Sequence, residues 1–164
     1  MTDDLLSTSA SQTQAIGRAL GERLEPGDVL ALTGGLGAGK TVFVKGLASG
    51  LGVAADAVVT SPTFVLISEY EGRLTLYHVD AYRLERAADF IALGADEILF
   101  GDGVCVVEWA DRVAECLPAD RLDVAFDVEG EAARRIRFAP RGTRWAARWP
   151  EVISSVKCQV SSGK

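Results

Sequence analysis

The chain carries only three cysteines and one histidine in 164 residues, and no apolar run nears the ~20 residues that a membrane-spanning helix needs. Cys105, Cys116 and Cys158 lack the paired spacing of a zinc site or a disulfide framework. Cys105 and Cys116 therefore read as small core residues. The opening MTDDLLSTSASQ is acidic and polar, unlike the basic and then apolar start of a secretory signal. A cytoplasmic protein with no membrane partner is expected. Basic residues are scarce over most of the length: residues 1–132 hold 9 Lys and Arg against 22 Asp and Glu, which argues against general nucleic-acid binding. Residues 133–164 reverse the sign, with 8 basic residues against 1 acidic. The stretch RRIRFAPRGTRWAARW is then either a docking surface for an acidic partner or RNA, or a solvated basic strand and helix.

What is present fits a soluble domain with a real core: 48% apolar and 24% charged residues. One domain is expected over residues 1–140. A basic extension over 141–164 follows, partly helical, with its last dozen residues (153–164) frayed. SASQTQAIGRALGERLEPGD reads as an amphipathic helix capped by Ser9 or Ser11 and stopped by Pro26-Gly27. VLALT (29–33) and VCVVE (104–108) are continuous apolar runs of the kind buried in parallel sheets. Segments 63–70 and 74–80 form a hairpin across Glu71-Gly72-Arg73, and RLDVAFDV with RRIRFAP forms a second around Gly130. Residues 85–100 are helical in two pieces broken at Gly94, and ADRVAECL is a short helix. Strands alternating with helices, plus the hairpins, predict an α/β fold: a P-loop NTPase-like mixed sheet with flanking helices.

Gly34-Gly35-Leu36-Gly37-Ala38-Gly39-Lys40-Thr41 fits G-x-x-x-x-G-K-[ST], after a predicted strand and opening a predicted helix. Glycines let the backbone fold its N–H groups around an anion, and the helix N-terminus adds partial positive charge. Lys40 can reach the β- and γ-phosphates, and the Thr41 hydroxyl can ligate Mg²⁺. No N-K-x-D stretch for reading guanine is present, which favours ATP.

Glu108 ends a buried strand, where a P-loop protein places the acid that helps hold magnesium. Positioning the attacking water as a base is the second role open to it, and an ion pair with Arg112 is the structural one. Asp80 also ends a strand, so the two acids can meet at one sheet edge. There Asp80 either positions water, touches the metal's outer shell, or makes a turn contact with Arg83. Thr60, Ser61 and Thr63 lie where a nucleotide-sensing switch sits, and equally where an ordinary loop enters a strand. By alternation His78 faces the same way as Asp80, and a structural duty is expected. Trp109 either closes over the site or packs in the core.

TSPTF (60–64) and YHVDAYRL (77–84) stand beside GGLGAGKT, VEWADR (107–112) and the IGRAL helix. Together they resemble the bacterial TsaE (YjeE) family from about residue 8 to 138, with the motifs in order. Two positions depart from that family's pattern: Gly35 stands where Asp is usual, and Ala110 where Pro is usual. The resemblance implies a P-loop ATPase required for making threonylcarbamoyladenosine in tRNA. It implies ATP and Mg²⁺ as cofactors, TsaB-like and TsaD-like proteins as partners, and tRNA met only through their complex. It also implies base contacts near Ala10–Thr13 and Gly130. The expected catalytic residues are Lys40, Asp80 and Glu108, with Thr41 and Glu108 on the metal. No arginine finger is visible before the tail, so weak turnover in the isolated protein is expected. Two alternatives remain: a P-loop small-molecule kinase using Arg141, Arg144 and Arg148 as a lid, and a nucleotide-gated binding switch.

Overall fold

Strands β2 (Val29–Thr33) and β5 (Val104–Glu108) are nearly or wholly buried along their length, which is why both read as unbroken apolar runs. They form the centre of a sheet in the computed structural model, which describes residues 2–35, 37–54, 59 and 67–162. Leu36 and the predicted switch Thr60, Ser61 and Thr63 lie outside the described residues. The other strands are β1 (Asp3–Ser7), β3 (Ile67–Tyr70), β4 (Leu76–Asp80), β6 (Arg121–Val128) and β7 (Arg134–Arg141), in the order β1-β7-β6-β2-β5-β4-β3. The four strands β6, β2, β5 and β4 run parallel. Antiparallel partners flank them on both sides, β3 against β4 and β7 and β1 beyond β6. This is an α/β fold with a mixed sheet, as expected.

Successive residues of a strand face opposite sides, so the sheet builds two cores. Leu30, Leu32, Val106, Val124 and Phe138 meet helices α1 (Ala10–Gly21), α2 (Lys40–Gly50) and α5 (Thr143–Ser162). Val29, Ala31, Val79, Cys105 and Val107 meet α3 (Ala87–Ala92), α4 (Ala95–Leu99) and a 3₁₀ segment, Ala110–Cys116. Ser9 caps α1, its hydroxyl accepting the Gln12 N–H at 3.0 Å.

Two expectations need correction. The short strand β1 was not foreseen, because DDLLS has only two apolar residues and lies on the sheet edge. The end of the chain is not frayed over 153–162: α5 runs to Ser162. Trp145, Trp149, Val152, Ile153 and Val156 recur at helical spacing and bury one stripe of it. Pro150 lies inside this helix. The charge of the tail is also largely answered within the chain. Arg135 meets Glu129 and Asp4, Arg137 meets Asp4 and Asp127, Arg141 meets Asp123, and Arg148 meets Asp28.

Helices α1 and α2 touch backbone to backbone. A Cβ added at Gly46 would stand 2.1 Å from the Gln14 carbonyl oxygen, and one at Gly17 2.3 Å from that of Phe43. This seam fixes the start of α2, and with it Lys40 and Thr41, against the first helix.

Candidate functional site

The carboxyl ends of β2, β5 and β4 stand side by side, with Leu32 opposite Glu108 and Glu108 opposite Asp80. In open α/β sheets this is the edge at which ligands bind. Beyond β2 the chain turns through the glycine-rich loop into α2. Gly34 has φ +142°, and a Cβ there would meet the Phe126 carbonyl oxygen at 2.8 Å, so no other residue fits without displacing backbone. Gly39, in the left-handed conformation, precedes α2, and the first N–H groups of that helix face the same space. A cavity of about 470 Å³ lies here, lined by Gly39, Lys40, Thr41, Asp80, Glu108 and Trp109. A second cavity of about 320 Å³ lies over β6 and β7, but there Arg121 and Arg141 both pair with Asp123.

Lys40 is 5% exposed, and its Nζ donates to the carbonyl oxygens of Gly34 and Gly35, at 2.5 and 2.9 Å. It also lies 4.0 Å from the centre of the Trp109 ring. Burial holds the Lys40 ammonium below its ordinary pKa, while Glu108, Asp80 and Asp111 pull in the other direction. Trp109 is the one non-glycine residue with positive φ (59°) among the described residues, a conformation costing about 1–3 kcal/mol. That backbone turn sets the indole over Lys40 and against Tyr82, with ring centres 4.8 Å apart. Ala110 opens the 3₁₀ segment, a position where proline would also fit. Gly35 has nothing within 4 Å of an added Cβ, so its departure from Asp is not forced by space.

Glu108 is 3% exposed and its partners are now clear. Thr41 Oγ1 donates towards both carboxylate oxygens at 3.3 Å. His78, fully buried on the neighbouring strand, meets Glu108 through Nε2. A carboxylate only accepts, so the shared proton sits on Nε2, and the buried Nδ1 has no partner among the described residues. Arg112 stands over the Tyr82 ring instead, so the ion pair with Glu108 is not formed. Asp80 accepts the Tyr82 N–H at 2.9 Å and does so from the register position next to Glu108. The donor set of Thr41, Glu108 and Asp80 consists of hard oxygens, which fits magnesium. Among the described residues no group of three or more Asp, Glu, His or Cys forms a metal cage.

Neighbours of the two more remote positions approach the loop. Ala10 begins α1, and Thr13, one turn on, has its methyl 3.8 Å from where a Gly39 Cβ would stand. The Gly130 carbonyl accepts from Arg134, whose other terminal nitrogen donates to the Gly37 carbonyl. Sequence reasoning missed the His78–Glu108 pair and the Arg134 contact. Strand alternation gave the side His78 faces, but the pairing register that supplies its partner is set by tertiary structure.

A family profile described as "Threonylcarbamoyl adenosine biosynthesis protein TsaE" matches residues 7–136. The tRNA threonylcarbamoyladenosine biosynthesis protein TsaE of Treponema pallidum (strain Nichols) is 48% identical over 134 residues, 82% of this chain and 98% of that protein. The protein of the same name from Bacillus subtilis (strain 168) is 45% identical over 140 residues, 85% of this chain and 86% of that one. The crystal structure of YdiB from Bacillus subtilis superposes with a TM-score of 0.82 at 39% identity, covering 94% of this chain and 95% of that one. Among the described residues no helix is long and apolar enough to cross a membrane. A matched profile over most of the length, close relatives and a shared fold agree: the chain belongs to the TsaE family, named for its part in threonylcarbamoyladenosine biosynthesis.

Proposed function

We propose that this protein is a magnesium-dependent ATP hydrolase that supports threonylcarbamoyladenosine modification of tRNA, by driving or resetting a complex of TsaB-like and TsaD-like proteins. The observation that carries this reading is the convergence of Lys40, Thr41, Asp80 and Glu108 at the carboxyl ends of three adjacent strands. Backbone N–H groups of the glycine-rich loop and of the α2 N-terminus receive the phosphates. Lys40, already close to Gly34 and Gly35, moves from carbonyl oxygens to phosphate oxygens and offsets the charge that develops on the departing phosphoryl group. Thr41 and Glu108 are the residues that would hold Mg²⁺, with phosphate and water supplying its other ligands. Bound there, the metal supplies positive charge to the phosphate oxygens. His78 fixes the rotation of the Glu108 carboxylate, and Asp80, pinned by the Tyr82 N–H, orients the water. Thr60, Ser61 and Thr63 sense the γ-phosphate in this scheme.

Two arginines that contact residues lining the cavity are otherwise engaged, Arg112 on Tyr82 and Arg134 on loop carbonyls. Turnover by the protein alone is therefore slow, below about 1 s⁻¹, and rises when a partner binds. The test is nucleoside mass spectrometry of tRNA from cells depleted of this protein, rescued with wild type, Lys40→Ala or Glu108→Gln. Loss of threonylcarbamoyladenosine restored only by wild type supports the reading. Full rescue by Glu108→Gln that still binds ATP would leave a nucleotide-gated switch in its place. Unchanged modification after depletion would remove the tRNA role.

A further inference from the structure

Arg134 opens β7 and contacts a loop 97 positions earlier in the chain. Its Nη2 donates to the Gly37 carbonyl at 3.0 Å, and its Nη1 to the carbonyls of Gly130 and Ala133 at 3.0 and 2.9 Å and, more distantly, Glu131 at 3.4 Å. Its side-chain methylene passes 3.9 Å from where a Gly39 Cβ would stand. The nearby Arg135 and Arg137 pair with carboxylates, whereas Arg134 spends its donors on backbone oxygen. Its Nε is buried without a partner among the described residues. A cation held against one side of a glycine-rich loop, with no acid as partner, calls for a reason beyond surface charge.

The peptide between Gly37 and Ala38 supplies it. A trans peptide keeps its C=O and N–H on opposite sides. With the Gly37 oxygen drawn to Arg134, the Ala38 N–H faces the other way and donates to the Gly35 oxygen at 3.2 Å, the oxygen that Lys40 Nζ also engages. The Ala38 N–H and the Lys40 ammonium thus converge on one place, where an anion would be met by both. Gly37, at φ +75° with open space around it, has little to stop that peptide from turning over. A flipped peptide would present a carbonyl oxygen to the anion instead of a donor.

We propose that Arg134 is a positioning residue of the nucleotide site, which locks the Gly37–Ala38 peptide with its N–H towards the phosphates and ties it to the turn at Gly130. This rests on the ATP reading above and adds a residue to it. Calorimetric titration with Mg²⁺-ATP on wild type, Arg134→Ala, Arg134→Lys and Arg135→Ala tests it, with steady-state kinetics on the same proteins. Arg134→Ala binds about 10- to 100-fold more weakly, the scale of a hydrogen bond from a charged donor. Arg134→Lys lies between it and wild type, and the loss falls in KM rather than kcat. Arg135→Ala, whose side chain pairs with Glu129, matches wild type. Equal ATP affinity in Arg134→Ala and wild type overturns the inference and leaves the ATP reading standing. A loss confined to kcat overturns it as well. Should circular dichroism show Arg134→Ala unfolded, Arg134→Lys decides, an unchanged KM there overturning the proposal. Wild type that fails to bind ATP withdraws the ATP reading, and the role of Arg134 falls with it.

Discussion

Asp28 and Glu108 are both buried carboxylates at the ends of the two central strands, yet they sit at opposite ends of the sheet and in opposite circumstances. Asp28 precedes β2, its side chain fully buried, and two arginines close on it. Arg148 gives it two hydrogen bonds, at 2.7 and 3.0 Å, and the Glu25 N–H a third at 2.7 Å. Glu108 ends β5 with the Thr41 hydroxyl and the His78 imidazole as its hydrogen-bond partners, and it lines a cavity. Burial alone does not separate the two. The difference lies in the partners: two arginines close on one acid and fasten α5 to the sheet, while the cation acting on the other is Lys40, whose own donors go to loop carbonyls. A divalent cation bound at Glu108 would complete there what Arg148 completes at Asp28.

Changing each acid in turn should break the comparison at different places. Asp28→Ala leaves Arg144 and Arg148 with only the Glu25 carboxylate, at 3.4 Å, and lowers stability by about 1.5–3 kcal/mol, read by urea unfolding, with ATP turnover per folded molecule retained. Cys105 reports opening of the core, because burial pushes its thiol pKa up to about 12. Its thiol should react far faster in Asp28→Ala than in wild type. Glu108→Gln gives the reverse pattern: turnover falls about 100-fold or more, while stability stays within about 1 kcal/mol because a buried charge has been removed. If both substitutions cost stability alike and neither touches turnover, the contrast is wrong.

Arg148→Lys sharpens the structural end. It keeps the charge but loses the two-pronged contact, for about 1–2 kcal/mol of stability. The smallest effect is expected from Lys40. Its folded-state pKa lies below the ordinary 10.5, so the unfolded chain holds the proton more tightly. The cost of burying the ammonium is present in full below the folded pKa and is relieved as pH rises towards 10.5. Wild type should gain stability over that window relative to Lys40→Met, measured as the urea midpoint against pH, and the gain should vanish when ATP occupies the loop.

The order of strands and helices after residue 8 was legible because buried strands and helix faces show as apolar runs or apolar periods, and Gly or Pro marks several of the turns between them, such as Pro26-Gly27, Gly72 and Gly130. The glycine-rich loop was legible for a related reason: its chemistry is local, and one short stretch contains it. What sequence could not supply were contacts made across register. Glu108 was found because it ends a strand, but His78, thirty positions earlier, becomes its partner only when β4 and β5 pair as Leu76 with Val104. Asp28 drew no notice, since nothing near it in the chain announces Arg148 at the other end. The stripe of α5 was readable in principle, because Trp145, Trp149, Val152, Ile153 and Val156 recur at helical spacing.

The seam between α1 and α2 bears on how such a chain can vary over generations. At Gly17 and Gly46 every missense change, whatever its polarity or charge, begins by adding the same atom, and that atom lands on a carbonyl oxygen of the other helix. Drift at these positions is closed by geometry before any ligand is considered. At Gly35, a few residues from Lys40, the space is open and other side chains can enter. Glycines thus age differently, Gly17 and Gly46 held by their neighbours and Gly35 free to record what the site has been asked to do.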